Sequence, residues 1–167
     1  MSNFSQRIMG AAQLEVRTYK EVEIDTHATG QAMAVVVLSS LAQGVGALSQ
    51  GGIRGLALGA VTALIGWCIW AAIIYVIGTK ILPEPQTRSD IGEVLRTTGF
   101  ATAPGLLRVL GLVPGLGFLI VVAVSVWMFM AMVIAVRQVL DYESLERAVG
   151  VCLLGCFFQL VIITLLR

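Results

Sequence analysis

Thr98-Gly-Phe-Ala-Thr-Ala-Pro-Gly-Leu-Leu-Arg-Val-Leu-Gly-Leu-Val-Pro-Gly-Leu-Gly117 is the stretch whose reading decides the fold. It is apolar enough for lipid, yet it holds two prolines, five glycines and Arg108. Proline in a helix interior removes a backbone hydrogen bond, and glycine is a poor helix former. Irregular backbone at membrane depth is tolerated only where protein or a water-filled cavity covers it. The segment is therefore expected between other helices and not on the lipid face. Gly99, Pro104 and Pro114 are the expected break points.

The rest of the chain offers the helices that such a segment needs. Of 167 residues, 57% are hydrophobic and only 13% charged, against about 25% charged in soluble domains. With a mean hydropathy of +0.91, a bilayer is the expected solvent. At roughly 20 residues per crossing, the length allows about four to six spans and no large soluble domain. Apolar runs at 28–48, 55–77, 91–113, 115–136 and 148–166 predict an all-α, polytopic membrane helix bundle of five transmembrane helices. The third span is short and kinked at Pro104, with Arg96 and Arg108 at its ends, roughly 18 Å apart along a helix and free to snorkel to opposite faces. A re-entrant hairpin in place of that span is the competing reading.

Residues 1–27 form a separate N-terminal unit. Phe4, Ile8, Met9, Ala11, Ala12, Val16, Tyr19 and Val22 share one helical arc, while Arg7, Arg17, Lys20, Glu21 and Asp25 lie outside it. That pattern predicts an amphipathic helix at the membrane surface; a helix packed on the loops is the alternative. No continuous apolar signal region opens the chain, so insertion is expected to begin with the first span. With the N-terminus inside, Arg7, Arg17, Lys20, Lys80, Arg88, Arg96, Arg137 and Arg147 fall on the cytoplasmic side, and Arg54, Arg108 and Arg167 on the other. This follows the positive-inside rule, and a re-entrant third segment gives the same balance.

Motifs of small and polar residues supply the candidate sites. Gly51, Gly55, Gly59 and Ala63 recur at every fourth position, a stripe on which another helix can approach closely. It reads as a homodimer seam or as packing within the bundle. Trp67 and Trp70 lie well inside the second span and read as large packing residues. Asp25, Gln31, Arg96, Arg137 and Gln138 are expected to form a polar cluster on the cytoplasmic side, with Asp25 or Glu23 pairing with Arg96 or Arg137. Ser89 or Asp90 is expected to cap a helix start.

Catalytic patterns are missing from the sequence. It has no His-Glu-x-x-His pair, no nucleophile elbow, no phosphate-binding glycine loop and no carboxylate inside any span. Cys68, Cys152 and Cys156 all sit in apolar runs, and His27 is the single histidine, too few ligands for a metal site. No cofactor is expected. A formal net charge of +1 gives no basic face for nucleic acid.

Glu21-Val-Glu-Ile-Asp-Thr-His-Ala-Thr-Gly-Gln-Ala32, Gly66-Trp67, Gly99-Phe-Ala-Thr-Ala-Pro104, Trp127 and Ala135-Val-Arg-Gln-Val-Leu-Asp-Tyr142 together resemble the bacterial branch of the Yip-domain family, named for Ypt/Rab-interacting proteins. The resemblance runs from about residue 4 to 165 and implies a five-span bundle with a cytoplasmic N-terminus, here in a bacterial cytoplasmic (inner) membrane. Eukaryotic members are associated with Rab GTPases, partner Yip proteins and vesicle traffic. Their long N-terminal cytosolic region has no counterpart here, so no GTPase contact is carried over. Three function classes stay open: a membrane scaffold or adaptor for protein partners or a second copy, a small channel or transporter of an uncharged solute, and a lipid-interacting, membrane-shaping protein. A polar cavity beside Thr102 is the feature that would favour the second.

Overall fold

In the computed structural model, residues 2–44, 48–113 and 115–165 are described, those at 48–52 and 163 as backbone only. Pro114 lies outside the described residues, and Gly51 is described only as backbone. The described residues are helical with no strand: α1 Phe4–Ala12, α2 Val16–Ile24, α3 Ala28–Gly44, α4 Leu48–Val76 with a π-helical end at Ile77–Ile81, α5 Ile91–Phe100, a 3-10 helix Ala103–Leu112, α6 Gly117–Val139 and α7 Leu145–Leu165. Three helices are long and apolar enough to cross a membrane, over Ile53–Ile81, Gly117–Val139 and Leu145–Ile162. Of the other two expected spans, α3 has 17 residues, and the third is a composite.

The first part of that composite is the centre of the molecule: Arg96–Ala101 and Ala103–Gly105 are buried, whereas Leu107, Val109, Leu110 and Leu112, expected between other helices, are exposed. Asp90 caps α5 by accepting from the Glu93 N–H at 2.8 Å, and Glu93 returns the bond to the Asp90 N–H at 2.9 Å, a reciprocal capping box. Inside α5, the Thr97 and Thr98 hydroxyls bond back to the carbonyls of Glu93 and Val94, so their burial leaves no polar group unpaired. Pro104 does not kink a continuous helix. It sits in the first turn of the 3-10 helix, where a missing N–H costs nothing. The helix axis thus changes type, from α to 3-10, at Ala101–Thr102. α3 packs against both halves, and the 3-10 helix packs along α6.

Gly99, expected to break the helix, lies within α5. Its role is a close approach: a Cβ there would stand 2.8 Å from Ala32 Cβ and 3.1 Å from Trp67 Cζ2. Trp67, on α4, is buried in this crossing and donates its indole N–H to Thr98 Oγ1 at 3.2 Å. Trp70 likewise packs inside, against Met132. Both tryptophans are packing residues.

The N-terminal unit is two helices, not one. Leu14 has φ of 64° and ends α1, with the Leu14 and Glu15 N–H groups bonded to the carbonyls of Ala11 and Gly10. This is a Schellman ending with leucine in the place usually held by glycine. α2 then folds back, and Gly10 lets Thr18 come close enough that a Cβ would collide with its hydroxyl. Ala11, Tyr19 and Val22 of this hairpin are fully buried in one core with Ala32, Val35, Phe100, Ala131 and Ala135. The hairpin is therefore part of the bundle's packing, two helices where one was expected, either at the membrane surface or packed on the loops.

Gly99→Val is expected to lower stability by about 2 kcal/mol, because the Ala32 main chain cannot move aside. Gly30→Val, on α3 where a Cβ meets nothing within 4 Å, is the matched control and should leave thermal unfolding in detergent unchanged.

Candidate functional site

Of the residues expected to form a polar cluster, Asp25, Gln31, Arg96 and Gln138 lie where the hairpin meets the bundle, through other bonds than expected, and Arg137 does not join them. Asp25 pairs with Arg7, Oδ2 to Nη2 at 2.7 Å, and not with Arg96 or Arg137. Arg7 also holds Glu21 at 2.9 Å and donates to Gln31 Oε1 at 3.0 Å. With Arg7 only 2% exposed, this network stitches α1, the end of α2 and the start of α3 together.

Arg96, expected to snorkel, is buried and turned inward. Its Nε lies 3.1 Å from the carbonyls of Val22 and Glu23, and its Nη2 also donates to Glu23. Those carbonyls end α2, where the unpaired acceptors and the helix dipole favour a cation. Arg96 thus anchors the hairpin through the main chain. The Glu23 carboxylate receives a long bond from Gln138 Nε2, at 3.4 Å. Arg137 is exposed and donates to the carbonyls of Tyr142 and Glu143, closing the turn after α6. At the far end of the hairpin, Tyr19 and Trp127 donate to the Ala11 and Ala12 carbonyls at 2.9 and 2.8 Å.

Beside this clamp the residues 84–86 and 141–147 form a second junction. Glu84 pairs with Arg147 at 3.3 Å and accepts from the Glu143 N–H, while Gln86 reaches the Asp141 carbonyl. The Tyr142 hydroxyl lies 2.7 Å from the Leu82 carbonyl, and burial followed by the Glu84 charge pushes its pKa up to about 12. A groove of about 700 Å³ runs between α2, α6 and α7, lined by apolar Val16, Met130 and Val133 and by polar Lys20, Arg137 and Asp141.

A second hollow lies in the other half of the bundle. A cavity of about 810 Å³, beside Thr102, opens between α3, α4, the 3-10 helix, α6 and α7. Gly59 and Ala63 of the small-residue stripe line it; a Cβ at Gly55 or Gly59 would meet nothing within 4 Å. Within one chain the stripe is therefore not used for tight helix packing at those positions. Among the described residues no cluster of three His, Cys, Asp or Glu side chains could hold a metal ion.

Arg7, Trp127 and Glu84 carry much of this architecture, and the sequence assigned none of them these roles; Trp127 entered only through the family resemblance. Arg7 had a signal, as the one cation opposite Glu21 and Asp25 across a short chain reversal. Trp127 had none, since its partner is a main-chain carbonyl.

The sequence profile of the Yip1 domain matches residues 17–166. No curated protein and no solved structure matches the chain.

The electrostatics of the clamp set its pH dependence. Bonds from the Ser2 hydroxyl and then from Arg7 hold the Glu21 carboxyl down at about 2, from an ordinary 4.5, and Arg7 likewise depresses Asp25. Burial raises Glu23, an effect of opposite sign that weakens the clamp as pH rises. A depressed carboxylate stabilises the fold fully above its unfolded pKa, and that stability is lost as pH falls through the folded value. Amide-exchange protection of the hairpin should therefore fall between about pH 4.5 and pH 2. Arg7→Met strands two acids; it should cost about 2–3 kcal/mol, less than a fully buried charge because Glu21 reaches solvent, and should shrink the acid-dependent drop.

Proposed function

The chain belongs to the Yip1 domain family, and from that premise we propose that it is a multi-pass integral-membrane scaffold that organises partner proteins, without catalytic activity of its own. The observation that carries the reading is the clamped hairpin. Arg96 and the Arg7 network fix α1 and α2 to the bundle core, so one end of the molecule presents a fixed polar surface with a groove partly lined by apolar side chains. In this reading that end is cytoplasmic, in keeping with the balance of Lys and Arg, and the membrane is the bacterial inner membrane. The chain crosses five times, with α5 and the 3-10 helix together as the third crossing; their course along α6 supports it.

A photo-crosslinking residue placed in native membranes tests the scaffold. Positions Val16, Met130 and Leu145 in the groove should each give one discrete protein adduct, while Leu119, exposed on α6, gives lipid adducts only. An absence of protein adducts from all three groove positions would count against an adaptor. A second copy is a further partner, seated on Gly51, Gly55 and Gly59. Leu at Gly55 and Gly59 should then halve the mass in mild detergent or nanodiscs; an unchanged mass removes the homodimer.

The cavity beside Thr102 favours a second reading, a carrier or channel for a small molecule. Discontinuous helices commonly build such sites. Solute uptake into liposomes holding the purified chain, abolished by a bulky residue at Thr102, is the result that reading requires.

A further inference from the structure

Arg108 has no charged partner among the described residues. It sits in the 3-10 helix between the 810 Å³ cavity and an adjoining pocket of about 220 Å³, and neither wall contains Asp or Glu. Its two bonds go to neutral groups, Gln43 Oε1 and, at 3.2 Å, Ser125 Oγ. Its Nε is buried with no acceptor. The sequence holds no carboxylate from 26 to 83 or from 94 to 139, so α3, the 3-10 helix and α6, which surround Arg108, cannot supply one. Ser125 lies eight residues into α6, about 12 Å from its start at 1.5 Å per residue. A guanidinium keeps its charge at any accessible pH, and at that depth a charge faces a cavity or pairs with another group.

We propose that the cavity binds an amphiphile with an anionic head, a membrane phospholipid whose phosphate meets Arg108. The fork of five N–H donors, only two of them bonded within the chain, suits phosphate oxygens. Away from Arg108 the walls turn apolar, with Ile65, Trp67 and Met132, and suit an acyl chain. Ile65 is also 56% exposed, so the cavity opens sideways along α4, the direction from which a lipid enters. Its volume lies within the roughly 300–1,000 Å³ of ordinary ligand sites. This site lies away from the groove on which the scaffold reading rests; it shares Gly59 with the stripe proposed to seat a second copy, and native mass spectrometry reads lipid retention and oligomeric state separately.

The test is native mass spectrometry of the full chain in dodecyl maltoside, titrated with palmitoyl-oleoyl phosphatidylglycerol and with the matching diacylglycerol. Phosphatidylglycerol should be retained and diacylglycerol lost. Arg108→Gln should weaken phosphatidylglycerol about tenfold, the worth of one charge-assisted bond, while Arg108→Lys keeps most of the binding. Thr62→Leu, which fills the cavity from a position on its wall, should weaken binding with an unchanged unfolding temperature. It carries the test if Arg108→Gln does not fold. Equal retention of the two lipids, or unchanged phosphatidylglycerol binding in folded Arg108→Gln or in Thr62→Leu, overturns the proposal. Displacement of phosphatidylglycerol by an equal concentration of glycerol 1-phosphate also overturns it, by assigning the site to a soluble anion.

Discussion

A backbone that changes from α-helix to 3-10 helix in the middle of an apolar segment has no stable place against lipid. A 3-10 run is normally three or four residues; here it extends over Ala103–Leu112. At its start the Thr102 carbonyl accepts from the Gly105 N–H at 2.9 Å and takes a second bond from Ser39 Oγ at 3.0 Å, a partner borrowed from α3. Such borrowing requires neighbours at close range, and glycine provides the range. Gly99 admits Ala32 and Trp67, and Gly105 admits Ser39 and Met128. The long helices α4 and α6 and the shorter α3 enclose the junction of the two helix types, up to Gly105, and leave Leu107, Val109, Leu110 and Leu112 beyond it exposed.

Those helices cover only part of the broken segment, and the α1–α2 hairpin packs against α5 and the 3-10 helix on the side they leave open. A hairpin of two nine-residue helices is too short to be stable alone in water. It is held because each helix end is satisfied: the α1 carbonyls by Tyr19 of α2 and by Trp127 of α6, the α2 carbonyls by Arg96 of α5. The same bonds that complete the interior therefore decide which polar side chains face the aqueous phase around the groove. Packing and surface presentation are one problem in this fold, and the scaffold reading grows from that coupling.

Local patterns in the sequence carried their information well. The Asp90 cap was legible because its partner Glu93 stands three residues away, and the interior place of Trp67 because it lies mid-way along an apolar run. Long-range roles were not legible. Gly99 signals either a break or a close approach, and only Ala32, on another helix, decides between them. The break at Leu14 carries no glycine or proline, so the 3.6-residue periodicity runs through it undisturbed and reads as one helix. Convergence of Asp25, Gln31, Arg96 and Gln138 followed from their placement at span ends, yet the predicted ion pair did not form. Arg96 binds main-chain carbonyls, and every residue has one of those.

Arg96 and Arg108 show how far residue type falls short of role. Both bracket the same segment and both look like snorkelling cations in sequence. Arg96 spends its donors on the two carbonyls that end α2, which carry partial negative charge and need a donor in any case; its charge is answered within the fold. Arg108 meets an amide and a hydroxyl, keeps a buried Nε unbonded and faces two hollows without an acid. Two neutral side chains can orient a guanidinium but cannot neutralise it. The fold accounts for Arg96 completely, and it accounts for Arg108 only when something outside the polypeptide supplies the missing negative charge.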